Sequence, residues 1–265
     1  MIGNLKLMGI LNITPDSFSD GGNFLNTEDA INHAQELASD GADIIDIGGE
    51  STRPGSTAIE SDFLRIKDVV EVIAKQYVVS IDTFRPETAE NCLKLGAKII
   101  NDISALRFAP TMADIIADYD SEVVLMYSKQ DGQAPHATKD EKEYKNVILE
   151  IYDFLSSRIE YALSKGIKQS KIILDPGMGT FISPNPNYSW EVLSRLNELC
   201  QYFSDFRILI GTSRKGFLKT STDNTEVASQ LSSLIAVTKG AKIIRTHNVG
   251  MASKFCKISA DLNLS

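Results

Sequence analysis

The sequence predicts a single (β/α)8 barrel over residues 1–265, with its site at the carboxyl ends of the strands. Three observations predict it. Eight short apolar runs recur along the chain, stretches of helical periodicity lie between them, and no linker, low-complexity tract or compositional shift divides it. A doubly wound sheet is the competing architecture. It more usually has fewer strands and a nucleotide loop after the first, and neither GxGxxG nor a P-loop occurs here.

The first run, Leu5–Leu11, and the second, Asp43–Ile47, flank a helical stretch at Glu28–Ser39, where Ala30, Ile31, Ala34, Leu37 and Ala38 share one face. Asp62–Lys75 carries a broad apolar face of Leu64, Ile66, Val69, Val70, Val72 and Ile73, and leads into the run Val78–Ile81. Pro86–Leu95 opens with a first-turn proline and closes at Gly96 before the run Lys98–Ile100. Val123–Met126 is the fifth run, and the long helical stretch Lys142–Lys165 follows, ended by Gly166. Lys171–Leu174, a helix over Trp190–Cys200, Arg207–Ile210, a helix over Val227–Lys239 ended by Gly240, and Lys242–Ile244 complete the order.

Composition narrows the class of function. The apolar fraction of 43% and charged fraction of 23% are those of an ordinary soluble globular protein. No apolar run is long enough for a membrane span, and the first residues show no signal-peptide pattern. Cys92, Cys200 and Cys256 are odd in number and widely spaced, which argues against a disulfide framework or a zinc cluster and for a reducing cytoplasm. A net charge of −8 argues against nucleic acid as a partner but leaves room for an anionic small substrate in a locally cationic cleft.

Nearly every apolar run ends in chemistry. The first runs into Asn12-Ile13-Thr14-Pro15-Asp16-Ser17, the second into Gly48-Gly49-Glu50-Ser51-Thr52-Arg53-Pro54-Gly55. The third ends at Asp82, the fourth at Asn101-Asp102, and the sixth at Asp175-Pro176-Gly177. The seventh runs into Ser213-Arg214-Lys215 and the eighth into Arg245-Thr246-His247. One Asp after an apolar run is most often a turn or helix cap. In a barrel, however, all these tips converge on one face, so Asn12, Thr52, Asp82, Asn101, Asp175, Lys215, Arg245 and His247 would line one cleft. Asp82, Asn101, Asp175 and Lys215 suit a flat heterocycle rich in amides and amines, because a buried carboxylate matches a pair of N–H groups bidentately. Asn12, Thr52, Arg53, Arg245 and His247 suit phosphate oxygens, and Asn12 is also a candidate metal ligand. His33 and His136 take no part in this pattern.

With these residues in view, the chain resembles dihydropteroate synthase of the folate pathway. The segments that carry the resemblance are Met8–Gly22, Gly48–Gly55, Ser80–Thr83, Ile100–Ile103, Asp175–Gly177, Ser213–Lys215 and Arg245–His247, seven motifs in the right order. The resemblance implies a (β/α)8 barrel, a homodimer, that joins 6-hydroxymethyl-7,8-dihydropterin pyrophosphate to p-aminobenzoate and releases pyrophosphate. It implies Asp82, Asn101, Asp175 and Lys215 as pterin ligands and Met126 as the apolar contact to the ring. It implies Asn12, Arg245 and His247 as the pyrophosphate grip, with Mg²⁺ bridging through Asn12, and Thr52, Arg53, Pro54 and Ser213 as part of the p-aminobenzoate site. Loops Thr14–Phe24 and Ser51–Ser61 would close over the substrates. Asp82, Asp175, Lys215, Arg245 and His247 are the residues to which it gives catalytic roles.

The sixth loop departs from the family. Where Asp-Pro-Gly-x-Gly-Phe-Gly-Lys is usual, this chain reads Asp175-Pro176-Gly177-Met178-Gly179-Thr180-Phe181-Ile182, so Thr180 stands at an aromatic position, the Phe has moved one place on and the lysine is absent. Tyr127 replaces a His expected at the pterin end, and Asn248 replaces an Asp after His247. A pterin-binding methyltransferase-type barrel and a non-catalytic pterin-binding paralogue are the alternative readings. The Ser51–Pro54 and Ser213–Lys215 loops count against the first, and the intact pyrophosphate residues against the second.

Overall fold

A computed structural model describes residues 5–13, 23–49, 62–130 and 140–261. Eight parallel strands close into a barrel in sequence order. They are β1 (Lys6–Asn12), β2 (Ile44–Gly48), β3 (Val79–Asp82), β4 (Ile99–Asp102), β5 (Glu122–Met126), β6 (Ile172–Asp175), β7 (Arg207–Ile210) and β8 (Ile243–Thr246). Around them lie α1 (Asn23–Ser39), α2 (Asp62–Ile73), α3 (Pro86–Lys94), α4 (Thr111–Asp118), α5 (Val147–Ser164), α6 (Pro186–Ser194), α7 (Leu196–Tyr202), α8 (Thr225–Thr238) and α9 (Val249–Asp261). The predicted fold class is the observed one.

The strands are short and apolar because both faces are buried, one inside the barrel and one against the helices. Inside, Met8, Ile44, Ile99, Val124, Ile173, Leu209 and Ile243 form one separate apolar layer. Side chains alternate with period two, so the residues two places further on also point inward, one level nearer the mouth. Those residues are Ile10, Asp46, Asn101, Met126, Asp175, Gly211 and Arg245. The barrel interior is therefore apolar at its waist and polar immediately above it. Parallel register fixes the level around the ring: Asn12 pairs with Gly48, Gly48 with Asp82, and Asp82 with Asn101.

The helices depart from expectation where caps decide their ends. The helix expected from Lys142 starts at Val147, because Asn146 is extended and its side chain accepts from the Leu149 N–H. The stretch Trp190–Cys200 divides into α6 and α7 at Arg195, whose guanidinium pairs with Glu191 and Glu198. Pro86 and Gly96 bound α3 as expected, Gly96 lying at φ +108° where a side chain is disfavoured. Two helices, α4 and α9, were not foreseen. The first has only eight residues, and the second is started by Asn248, whose Oδ1 accepts from the Met251 N–H. At the opposite end of the barrel a cavity of about 490 Å³ is lined in part by Lys171, Asp120, Arg207 and Glu122, which pair with one another.

Candidate active site

The mouth of the barrel collects the predicted residues from six different strands and the loops beyond them. Arg245 is at its centre. Its Nε donates to Asp46 Oδ2 at 2.6 Å and its Nη2 donates to Asp82 Oδ2 at 2.7 Å. Asn101 Nδ2 donates to the same Asp46 oxygen at 3.2 Å. Asp175 Oδ1 accepts the Gly177 N–H at 2.7 Å. Ser213 Oγ lies 2.9 Å from His247 Nδ1 and also accepts the His247 backbone N–H at 3.2 Å. Asn12 sits exposed at the end of β1, opposite Gly48 in register. The expected loop residues Thr52, Arg53 and Pro54 lie outside the described residues, as do 14–22 of the first loop and the whole of the second. Asn23 and Phe24 belong to α1.

An apolar wall faces these groups. Phe84, Ile103, Met126 and Phe181 form their own buried cluster with Phe108 against it. Met126 is the strand residue of this wall, at the end of β5. Phe181, the aromatic that the sequence sets one position late, lies in the short 3-10 turn Gly179–Phe181, and the Lys215 ammonium sits 4.8 Å above its ring. Gly177, at φ +71°, makes the turn, and a Cβ there would stand 2.4 Å from the Tyr127 carbonyl oxygen. Tyr127 itself does not face the pterin end. Strand alternation turns it outward toward α5, where its hydroxyl donates to Tyr144 Oη at 3.1 Å. Asn248 likewise serves as the cap of α9.

Burial sets the charges. It raises Asp82 to about 6, against the opposing pull of Arg245 and with a further push from Asp46. It raises Asp175 to about 6 and lowers Lys215 to about 8, the latter helped by the nearby Arg245 cation. For Arg245 burial works against the charged form, but Asp46 and Asp82 prevail and hold it protonated. Asp46 is the site residue that sequence reasoning missed. Its signal was one carboxylate inside the apolar run Ile44-Ile45-Asp46-Ile47, which is costly without a buried partner.

Fold and site together define a (β/α)8 enzyme whose mouth is built for a flat, hydrogen-bonding ring on one side and an anion on the other. The family of pterin binding enzymes matches residues 8–247. A dihydropteroate synthase type-3 from Escherichia coli is 39% identical, covering 97% of this chain and 99% of its own. A dihydropteroate synthase from Streptococcus pyogenes is 37% identical, covering 93% and 91%. A crystal structure of the Clostridium difficile synthase, determined with pteroic acid, superposes with a TM-score of 0.88 at 37% identity, covering 99% of this chain and 98% of that one. The Xanthomonas albilineans synthase with 4-aminobenzoic acid gives 0.88 at 35%, covering 99% and 94%. The chain belongs to the pterin-binding enzymes, and within them to the dihydropteroate synthase family.

Proposed function

We propose that this transferase joins 6-hydroxymethyl-7,8-dihydropterin pyrophosphate to p-aminobenzoate, and that the residues gathered at the mouth carry the reaction in two groups. The observation that supports this most is the coupling of Arg245 to Asp82, which sets an anion-binding cation beside a heterocycle-binding carboxylate. Asp82, Asn101, Asp175 and Lys215 would hold the pterin, with Met126 against its face. Arg245 and His247 would hold the pyrophosphate, and Ser213, hydrogen-bonded to His247, would connect that grip to the aminobenzoate side together with Thr52, Arg53 and Pro54.

The chemistry is electrostatic. The bond from the pterin methylene to the pyrophosphate oxygen breaks, and the pyrophosphate leaves with the electron pair. Arg245 and His247 donate hydrogen bonds to that developing charge. The Asp82 and Asp175 carboxylates favour the positive charge that develops on the pterin methylene. The arylamine nitrogen then forms the new C–N bond and loses a proton. A bound Mg²⁺ would add Lewis-acid stabilisation of the phosphate oxygens. Asn12 fits it as a lone oxygen ligand, since Mg²⁺ takes most of its shell from water and substrate phosphates, and no acidic or imidazole cluster forms a metal cage among the described residues.

The test is pyrophosphate release with and without p-aminobenzoate, in the presence of Mg²⁺. Release that requires the arylamine and yields dihydropteroate supports the reading; pterin binding without it points to a paralogue. Asp82→Asn should lower kcat/KM by about 100-fold. Across pH, kcat/KM for the pterin substrate should rise through about 6, as Asp82 and Asp175 lose the protons that stop them accepting, and fall above about 8 as Lys215 loses its charge.

The proposed assembly is a homodimer. Val227, Leu231 and Ile235 recur every fourth residue on α8 and are all exposed, an apolar stripe of the kind that two copies bury against each other. Leu231→Glu should shift the protein from dimer to monomer in sedimentation at micromolar concentration, and a wild-type monomer would refute the assembly. Cys92, Cys200 and Cys256 are free thiols, which supports action in a reducing cytoplasm. No helix among the described residues is long and apolar enough to cross a membrane.

A further inference from the structure

Asp46 is fully buried on β2, one pleat above the apolar waist of the barrel. A single one of its oxygens, Oδ2, accepts from both Arg245 Nε and Asn101 Nδ2. Its Oδ1 has no hydrogen-bond partner among the described residues. A structural counter-charge for Arg245 would be better served by a bidentate pair, with one carboxylate oxygen on each of two guanidinium nitrogens. Here the guanidinium divides its donors between two carboxylates on neighbouring strands, Nε to Asp46 and Nη2 to Asp82. That division fixes the guanidinium plane across the mouth.

The second contact fixes an amide. A carboxylate accepts and cannot donate, so Asn101 must turn its Nδ2 toward Asp46 and its Oδ1 the other way. An Asn101 presenting a carbonyl oxygen recognises an N–H edge; one presenting its amine would recognise a carbonyl. The orientation is a choice of ligand chemistry, and Asp46 makes it.

We infer that Asp46 is a positioning residue for both halves of the substrate, its Oδ2 orienting the Arg245 guanidinium for the pyrophosphate and the Asn101 amide for the pterin. This rests on the roles proposed above for Arg245 and Asn101. Asp46 touches neither ligand. Through one shared oxygen, it couples the two grips.

The experiment compares wild type, Asp46→Asn and Asp46→Glu. It measures kcat and both KM values, with calorimetric Kd values for inorganic pyrophosphate and for 6-hydroxymethylpterin and a thermal midpoint for each protein. In Asp46→Asn the amide oxygen in the place of Oδ2 lacks the full negative charge that holds both donors, and its NH2 is left buried without an acceptor, so both grips loosen and both Kd values should rise by about tenfold or more. The KM for p-aminobenzoate should stay within about twofold of wild type, a smaller change than one mispositioned polar contact produces. Asp46→Glu keeps the charge on a longer arm. It should recover the thermal midpoint without recovering the affinities, and it decides the matter if Asp46→Asn does not fold. Wild-type affinities in a folded variant with only a lowered midpoint would overturn the inference, leaving Asp46 a buried counter-charge. A change in one ligand but not the other would overturn the shared role. A wild-type protein that binds neither ligand would instead refute the site roles on which the inference rests.

Discussion

Arg245→Met should abolish turnover and destabilise the fold at the same time. The first effect follows from losing the donors proposed to hold the pyrophosphate, about 1000-fold in kcat/KM. The second follows from what remains. Asp46 is fully buried and Asp82 half-buried, and both lose the cation that Nε and Nη2 now supply at 2.6 and 2.7 Å. Removing one member of such a buried set costs about 3–5 kcal/mol. The sign of the pH dependence separates this account from simple loss of packing. Burial already holds Asp82 near 6 in the presence of the arginine, and without it the carboxyl rises further. A carboxylate whose folded value is raised opposes folding when charged, so the cost is greatest at high pH and is relieved as Asp82 takes up its proton. Urea unfolding of variant and wild type at pH 7.5 and 5.5 should show the gap narrowing at the lower pH. A gap that is the same at both would sink the electrostatic explanation.

Gly177→Ala should be the most damaging change of a single methyl group. The residue lies at φ +71°, where an L side chain costs about 1–2 kcal/mol. Its Cβ would also meet the Tyr127 carbonyl oxygen at 2.4 Å, a backbone atom of the residue just past β5 whose own N–H donates to the Asp175 carbonyl at 2.8 Å. The two penalties together should approach about 3 kcal/mol. Function suffers through the same turn, since the Gly177 N–H orients Asp175 Oδ1. The KM for the pterin substrate should therefore rise in any molecules that fold. Gly216→Ala is the control: nothing lies within 4 Å of its Cβ, and its cost should stay within about 0.5 kcal/mol. Equal effects at the two glycines would refute the steric argument.

Much of this protein was legible in order along the chain. Eight apolar runs separated by amphipathic stretches admit few architectures, because a β-branched run too short for a helix and bounded by turns must be a strand with both faces covered. The polar tips were legible for the same reason: an Asp or Asn closing such a run is conspicuous, and a barrel brings every tip to one face. Helix ends were less so. Asn146 and Asn248 set the starts of α5 and α9 through a single side-chain hydrogen bond each, and an Asn in a polar stretch resembles any other until its backbone is extended.

What the chain by itself determined is that most strands end in polar tips, since strand period and tip chemistry are local properties. What only the tertiary structure decided is which of them act together. Arg245 and Asp46 stand 199 residues apart and meet because the closed barrel brings β8 and β2 to either side of β1. Tyr127 turns away from the site although its sequence position put it there, while the shifted Phe181 joins the apolar wall beside Met126. Register, closure and pleat direction made those decisions, and all three depend on contacts between strands remote in sequence.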